Sequence, residues 1–237
     1  KQSSSRPKAI IGGAAVTAIL QSSSVVNLMA LAFVGANVIQ MQHALAVMLG
    51  SNLGTTFSSW IIATVGFRMN IENIAYPLAG LSGVTMFLSG KNSKLEHWSR
   101  LFFGTGLLFM GLNLIRNGME LSLSGINLII FLLTGFIITA IIQSSSVTIA
   151  IVLSALYAGA IELIAAMAIV LGAETGTIIK LVLASLTGLA AKKRVAMGNL
   201  LINGITSIII FIGIYPVHRF ITETIMIHDN LMALVFF

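Results

Sequence analysis

The chain has 237 residues, 57% of them hydrophobic, with 13 Lys+Arg against 7 Asp+Glu and a net charge of +6. Charged residues make up 8%, where a soluble domain carries about 25%. That excludes a water-soluble globular domain, a disordered chain and an ordinary nucleic-acid binder, and the absence of cysteine excludes disulfides, thiolate metal sites and cysteine nucleophiles.

In chain order, residues 1–8 are basic and polar, and no small-residue cleavage pattern follows them. Residues 9–67 then run for 59 positions without Asp, Glu, Lys or Arg. Within them, 9–20 and 25–36 are apolar arms of 12 residues, separated by Gln21-Ser22-Ser23-Ser24. At ~1.5 Å per residue each arm reaches about 18 Å, short of the ~30 Å hydrocarbon layer. The two arms predict a re-entrant hairpin over about 9–37, with the serines at its break. Irregular backbone at that depth needs protein or a wet cavity around it, and the free N–H groups that open the second arm attract anions. Residues 41–66 predict a spanning helix broken at Gly50-Ser51-Asn52-Leu53-Gly54-Thr55-Thr56.

Residues 73–90 predict a further helix, as do 101–117. A second hairpin is expected over about 126–160 around Gln143-Ser144-Ser145-Ser146, and a second broken helix over 163–189 around Gly172-Ala173-Glu174-Thr175-Gly176-Thr177. A helix over 195–216 follows. The predicted class is an all-α, polytopic membrane protein.

A shift of 122 residues aligns 12–66 with 134–188 without a gap. Thr17-Ala18 matches Thr139-Ala140, the two Gln-Ser-Ser-Ser-Val runs coincide, and Leu49-Gly50 and Gly54-Thr55 match Leu171-Gly172 and Gly176-Thr177. Polar residues and glycines are retained inside apolar sequence, whereas a duplicated packing scaffold would retain apolar faces. Paired Gly-interrupted segments in two halves point to a transporter's binding site. The expected repeats are 1–100 and 101–237, forming one transport domain. With each hairpin returning to its own side, nine basic residues (Lys1, Arg6, Lys8, Lys91, Lys94, Arg100, Lys192, Lys193, Arg194) face three (Arg68, Arg116, Arg219), with Lys180 inside a span. The positive-inside rule puts the nine in the cytoplasm of a cell membrane and makes the repeats inverted.

At these motifs the sequence resembles the sodium–phosphate cotransporter family, type II and its bacterial relatives. Gln21 to Gly50 and Gln143 to Gly172 are both 29 residues apart, and Gly104-Thr-Gly-Leu-Leu-Phe-Met-Gly-Leu-Asn113 looks like the family's repeat-opening helix. The resemblance implies sodium-coupled symport of inorganic phosphate by alternating access, not catalysis. Sodium ions would be the co-substrate, with no cofactor, a lipid bilayer as surroundings and a homodimer as the expected assembly. It assigns phosphate to Gln21, Ser22, Ser23, Ser24, Gln143, Ser144, Ser145 and Ser146. Sodium is assigned to Gln21, Asn52, Gly54, Thr55, Thr56, Gln143, Glu174, Thr175, Gly176 and Thr177.

The chain departs from the family where Glu174 stands in place of the usual Asn and where Lys180 follows in the same span, as a coupling group or an ion pair. No copy of the opening helix precedes Lys1, and the chain stops inside an apolar run at 231–237, so part of a longer protein is expected. Asn199 and Asn203 are secondary candidates for the pathway. A passive channel and an intramembrane serine hydrolase built on Gly80-Leu81-Ser82-Gly83 are the competing readings.

Overall fold

The computed structural model describes residues 5–61, 63, 71–89, 94–118, 127–157, 159–186, 188–224 and 230–237. The described residues are almost entirely helical. The helices are α1 (Arg6–Leu20), α2 (Ser23–Gly35), α3 (Met41–Ile61), α4 (Ile71–Leu88), α5 (Lys94–Gly118), α6 (Leu128–Ile142), α7 (Ser145–Tyr157), α8 (Leu163–Gly176), α9 (Ile178–Leu186), α10 (Ala190–Ile212), α11 (Ile214–Arg219) and α12 (Asn230–Phe236). A π-helical turn, Phe220–Thr224, follows α11. The most extensive packing joins α1 to α3, α6 to α8 and α4 to α5.

Both interrupted arms form where the short apolar lengths place them. Pro7 lies in the first turn of α1, where its missing N–H costs nothing. The helix stops at Gln21, which adopts φ 53° and gives its N–H to the Thr17 carbonyl. Gln143 ends α6 in the same way, at φ 58° with its N–H on Thr139. Chain then restarts as helix at Ser23 and at Ser145.

The duplicated glycines are packing positions. A Cβ on Gly13 would stand 2.2 Å from the Val47 carbonyl oxygen, one on Gly50 1.9 Å from that of Ile10, and one on Gly54 2.5 Å from that of Ala14. In the second half, Gly135 meets Ile169 at 2.0 Å, Gly172 meets Leu132 at 1.9 Å and Gly176 meets Phe136 at 2.7 Å. Every partner lies 122 residues beyond its counterpart, as the sequence shift does. The backbones of α1 and α3, and of α6 and α8, therefore touch directly, which small residues permit in membrane helices.

This overturns the break expected over residues 50–56. α3 is continuous from Met41 to Ile61. Two helix-interior glycines cost about 1 kcal/mol each, but here the close approach offsets that cost instead of the helix unwinding. In the second half the interruption is real but small, at Thr177, the last residue of the predicted break, between α8 and α9. Two other starts also shift. α5 begins at Lys94 rather than 101, and α10 at Ala190 rather than 195, because a helix runs on through charged positions that hydropathy excludes. Arg100 pairs with Glu96 one turn earlier at 2.6 Å. Residues 62 and 64–66, at the end of the first predicted broken helix, and Lys1, Arg68 and Lys91 of the charge count lie outside the described residues.

By length and composition, Leu163–Leu186 and Ala190–Ile212 are long and apolar enough to cross a bilayer. Of the five segments expected to cross, these two meet length and apolar composition together among the described residues, beside shorter apolar helices. One core packs α7, α8 and α12 around Leu153 and Met167. A second joins α2, α3, α9 and α10 around Met48, Leu181 and Val195, tying first-half helices to second-half ones.

Candidate functional site

The site grows from the ends of α1 and α6. Thr17 is buried and donates to Ser51 Oγ at 2.8 Å; Ser51 in turn reaches the Ser23 carbonyl at 3.5 Å. Thr139, its counterpart, donates to Thr148 Oγ1 at 2.8 Å, and Thr148 reaches the Ser144 carbonyl at 3.3 Å. Each motif backbone is thus held by a hydroxyl relay begun by the duplicated threonine. Ser22 caps α2 by accepting from the Val25 N–H at 3.4 Å. Gln21 and Gln143 are exposed, and Gln21 Nε2 donates to the Ala18 carbonyl at 2.5 Å. Ser22, Ser23, Ser24, Ser144 and Ser146 are half-buried. Ser145 is fully buried without a well-formed hydrogen bond, and its hydroxyl lies beside the Glu174 carboxyl group.

A cavity of about 510 Å³ lies between the halves. Its polar lining comes from Asn52, Thr55, Thr56 and Ser59 on α3, Glu174 on α8, and Asn203, Thr206 and Ser207 on α10. Asn52 Nδ2 donates to Asn203 Oδ1 at 2.9 Å. Thr55 is tied to the Ser51 carbonyl, and Thr56 to that of Leu53. Thr175 donates to the Leu171 carbonyl at 2.8 Å and to Ser207 Oγ at 3.1 Å. Asn52 and Glu174 are duplicates of one another, 122 positions apart, and they face this single cavity.

A second space, of about 10 Å³, is lined by Ser24, Asn27, Thr177, Lys180 and Asn199. Of the eight motif residues, Ser24 lines this smaller space and none lines the larger. The structure therefore separates the two charged candidates. Glu174 and Lys180 line different cavities, and among the described residues no ion pair joins them. Gly54 and Gly176 serve the helix crossings and line neither cavity.

Asn199 and Asn203, secondary in the sequence, line the two cavities. Ser207 and Thr148 are not marked by the motifs, and Ser51 is marked only as part of the expected break. Ser51 aligns with Ala173 and Thr148 with Val26, so the duplication flags neither; their only signal is a hydroxyl within or beside a motif. Ser82 donates to the Leu78 and Ala79 carbonyls of its own helix, so its hydroxyl is engaged in α4 rather than set on a nucleophile turn.

The uncharacterized protein YqeW of Bacillus subtilis is 32% identical over 207 residues, 83% of this chain and 65% of that protein. YjbB of Salmonella typhimurium, named as a candidate inorganic phosphate export protein, is 30% identical over 229 residues, 92% of this chain and 41% of its own length. The Escherichia coli YjbB, of the same name, is 31% identical over 86% of this chain and 39% of its own. The chain thus spans from about two fifths to just under two thirds of these relatives. No solved structure matches it. The sequence model of the Na+/Pi-cotransporter family matches residues 1–117 and 121–236, and the chain belongs to that family of membrane proteins.

Proposed function

We propose that the chain forms the core of a secondary active transporter that moves inorganic phosphate together with sodium, by alternating access between two inverted repeats. The observation that carries this is the shared cavity. Asn52 and Glu174, equivalent positions of the two halves, face one space. A binding site at the interface of repeats is what alternating access requires.

Phosphate is held next to this cavity, by the motif serine hydroxyls and by the amides that open α2 and α7, at Ser23 and Ser145; Ser145 lies beside Glu174, which lines the cavity. Helix starts favour anions, and hydroxyl and amide donors suit phosphate oxygens. Sodium is held by neutral oxygens of Gln21, Gln143, Asn52, Thr55, Thr56 and Thr175, with Glu174 supplying a carboxylate. Phosphate export is the second reading, favoured by the names of the YjbB relatives; the direction then follows the gradients rather than the site.

Radiolabelled phosphate flux into proteoliposomes, with and without an inward sodium gradient, tests the coupling. Uptake is expected to rise at least several-fold with the gradient, and equal flux would overturn it. The same assay run outward reads export. A protein carrying Ser23→Ala with Ser145→Ala is expected to lose transport while remaining folded.

A further inference from the structure

Lys180 has no counterpart in the first half, where the aligned residue is Ser58. It lies on α9, in an apolar span that otherwise has no charge beyond Glu174. A lysine at that depth is costly and needs a compensating site. The space that Lys180 lines is walled by Ser24 and Asn27 of α2, Thr177 between α8 and α9, and Asn199 of α10. No carboxylate is among its described lining residues. At about 10 Å³ it has room for one water-sized body and not for a phosphate ion. Asn27 Oδ1 is buried there and accepts no hydrogen bond. An unpaired buried acceptor is rare and needs a donor or a cation to explain it. Thr177 Oγ1 gives its proton to the Glu174 carbonyl at 2.7 Å, which leaves its lone pairs to face another partner.

We infer that the Lys180 ammonium group is a tethered cation that serves this sodium-sized site of neutral oxygens between the two halves, turning onto the free Asn27 Oδ1 in place of an ion. An ammonium group has three donors and no acceptor, and so suits a pocket of hydroxyl and amide oxygens. Its charge is fixed to the chain, so once turned in it meets the site without a free ion, and a carrier built this way moves one cation fewer per cycle. That last consequence rests on the proposed transport; the inference itself concerns ion binding and is tested by ion binding.

The test is radiolabelled sodium binding to the purified full-length protein at constant ionic strength. Lys180→Ala opens the pocket and is expected to bind one sodium ion more than wild type. Adding Asn27→Leu to that variant is expected to abolish the extra ion. Lys180→Ser serves as a second opened form. Sodium binding unchanged from wild type in the folded variants would overturn the inference. The unmodified protein gives an independent reading. Lys180 is expected to resist acetylation by acetic anhydride under conditions in which Lys193, which is exposed, reacts fully. Equal acetylation of the two would place the amine outside the pocket and overturn the inference as well. Neither result depends on phosphate transport, so a failure of the transport reading remains distinguishable.

Discussion

Thr17 and Thr139 show how a duplicated residue keeps its task while its partner changes. Both are buried, and both send a hydroxyl proton along a short relay to a motif carbonyl. The first relay passes through Ser51 of α3, the second through Thr148 of α7. Where one half has Ser51 the other has Ala173, and where one has Thr148 the other has Val26. A buried hydroxyl left unpaired costs about 1–3 kcal/mol, so each substitution is tolerable only with the other present. Glu174 is the opposite case, a duplicated position whose chemistry changed from amide to carboxylate. In the sodium-ligand role proposed for it, Glu174 predicts that Glu174→Gln raises the sodium concentration for half-maximal transport about tenfold, equivalent to about 1.4 kcal/mol. The pH profile is expected to stay as in wild type. A profile that changes while sodium dependence does not would identify a proton role instead. The motif serines and Glu174 were legible because they stand out against apolar sequence. Ser51, Thr148 and Ser207 were not, since a lone hydroxyl in a membrane helix usually bonds its own backbone, as Thr134 and Ser154 do.

At the scale of helices, the crossings of α1 with α3 and of α6 with α8 are set by glycine. The spacing of Gly13, Gly50 and Gly54 does not distinguish a helix that unwinds from one that is pressed against a neighbour. Sequence weighs glycine by its backbone freedom, and the deciding fact is a distant carbonyl, Ile10 for Gly50 and Leu132 for Gly172. Gly172→Ala would put a methyl group 1.9 Å from that carbonyl oxygen, and backbone cannot rotate out of the way. It is expected to destabilise the protein by about 1–3 kcal/mol. Gly204→Ala, with open space around it, is expected to be neutral or slightly stabilising through helix propensity. Thermal unfolding in detergent compares the two; equal melting temperatures would show that the crossing yields more easily than its geometry implies. The short arms, by contrast, were readable from length alone, since 12 apolar residues fall short of a span.

Over the whole molecule, large apolar side chains point outward. Phe87 is 88% exposed, Ile19 79% and Ile212 78%. Water would not tolerate such a surface on a monomer, whereas lipid requires it, and the scarcity of charge announced as much. What composition leaves open is which helices meet inside, because apolar residues line both the exterior and the interior of a membrane bundle. Long-range pairings such as Asn52 with Asn203 carry no local signal at all.

The cavity between the halves has one further consequence. Its walls come from α3 on one side and from α8 and α10 on the other, so neither half can enclose it alone. On the inverted arrangement proposed above, a gene encoding only one repeat would have to supply the missing wall from a second copy, inserted the opposite way up. Fusion of two such genes would turn a partner into a segment of the same chain and free each copy to diverge, as Glu174 and Lys180 have. The reverse operation is available in the laboratory. A chain cut within residues 90–93, between α4 and α5, and expressed as two pieces is expected to recover phosphate transport in membranes, while either piece alone gives none. Activity from a single piece would show that the cavity is not where substrate binds.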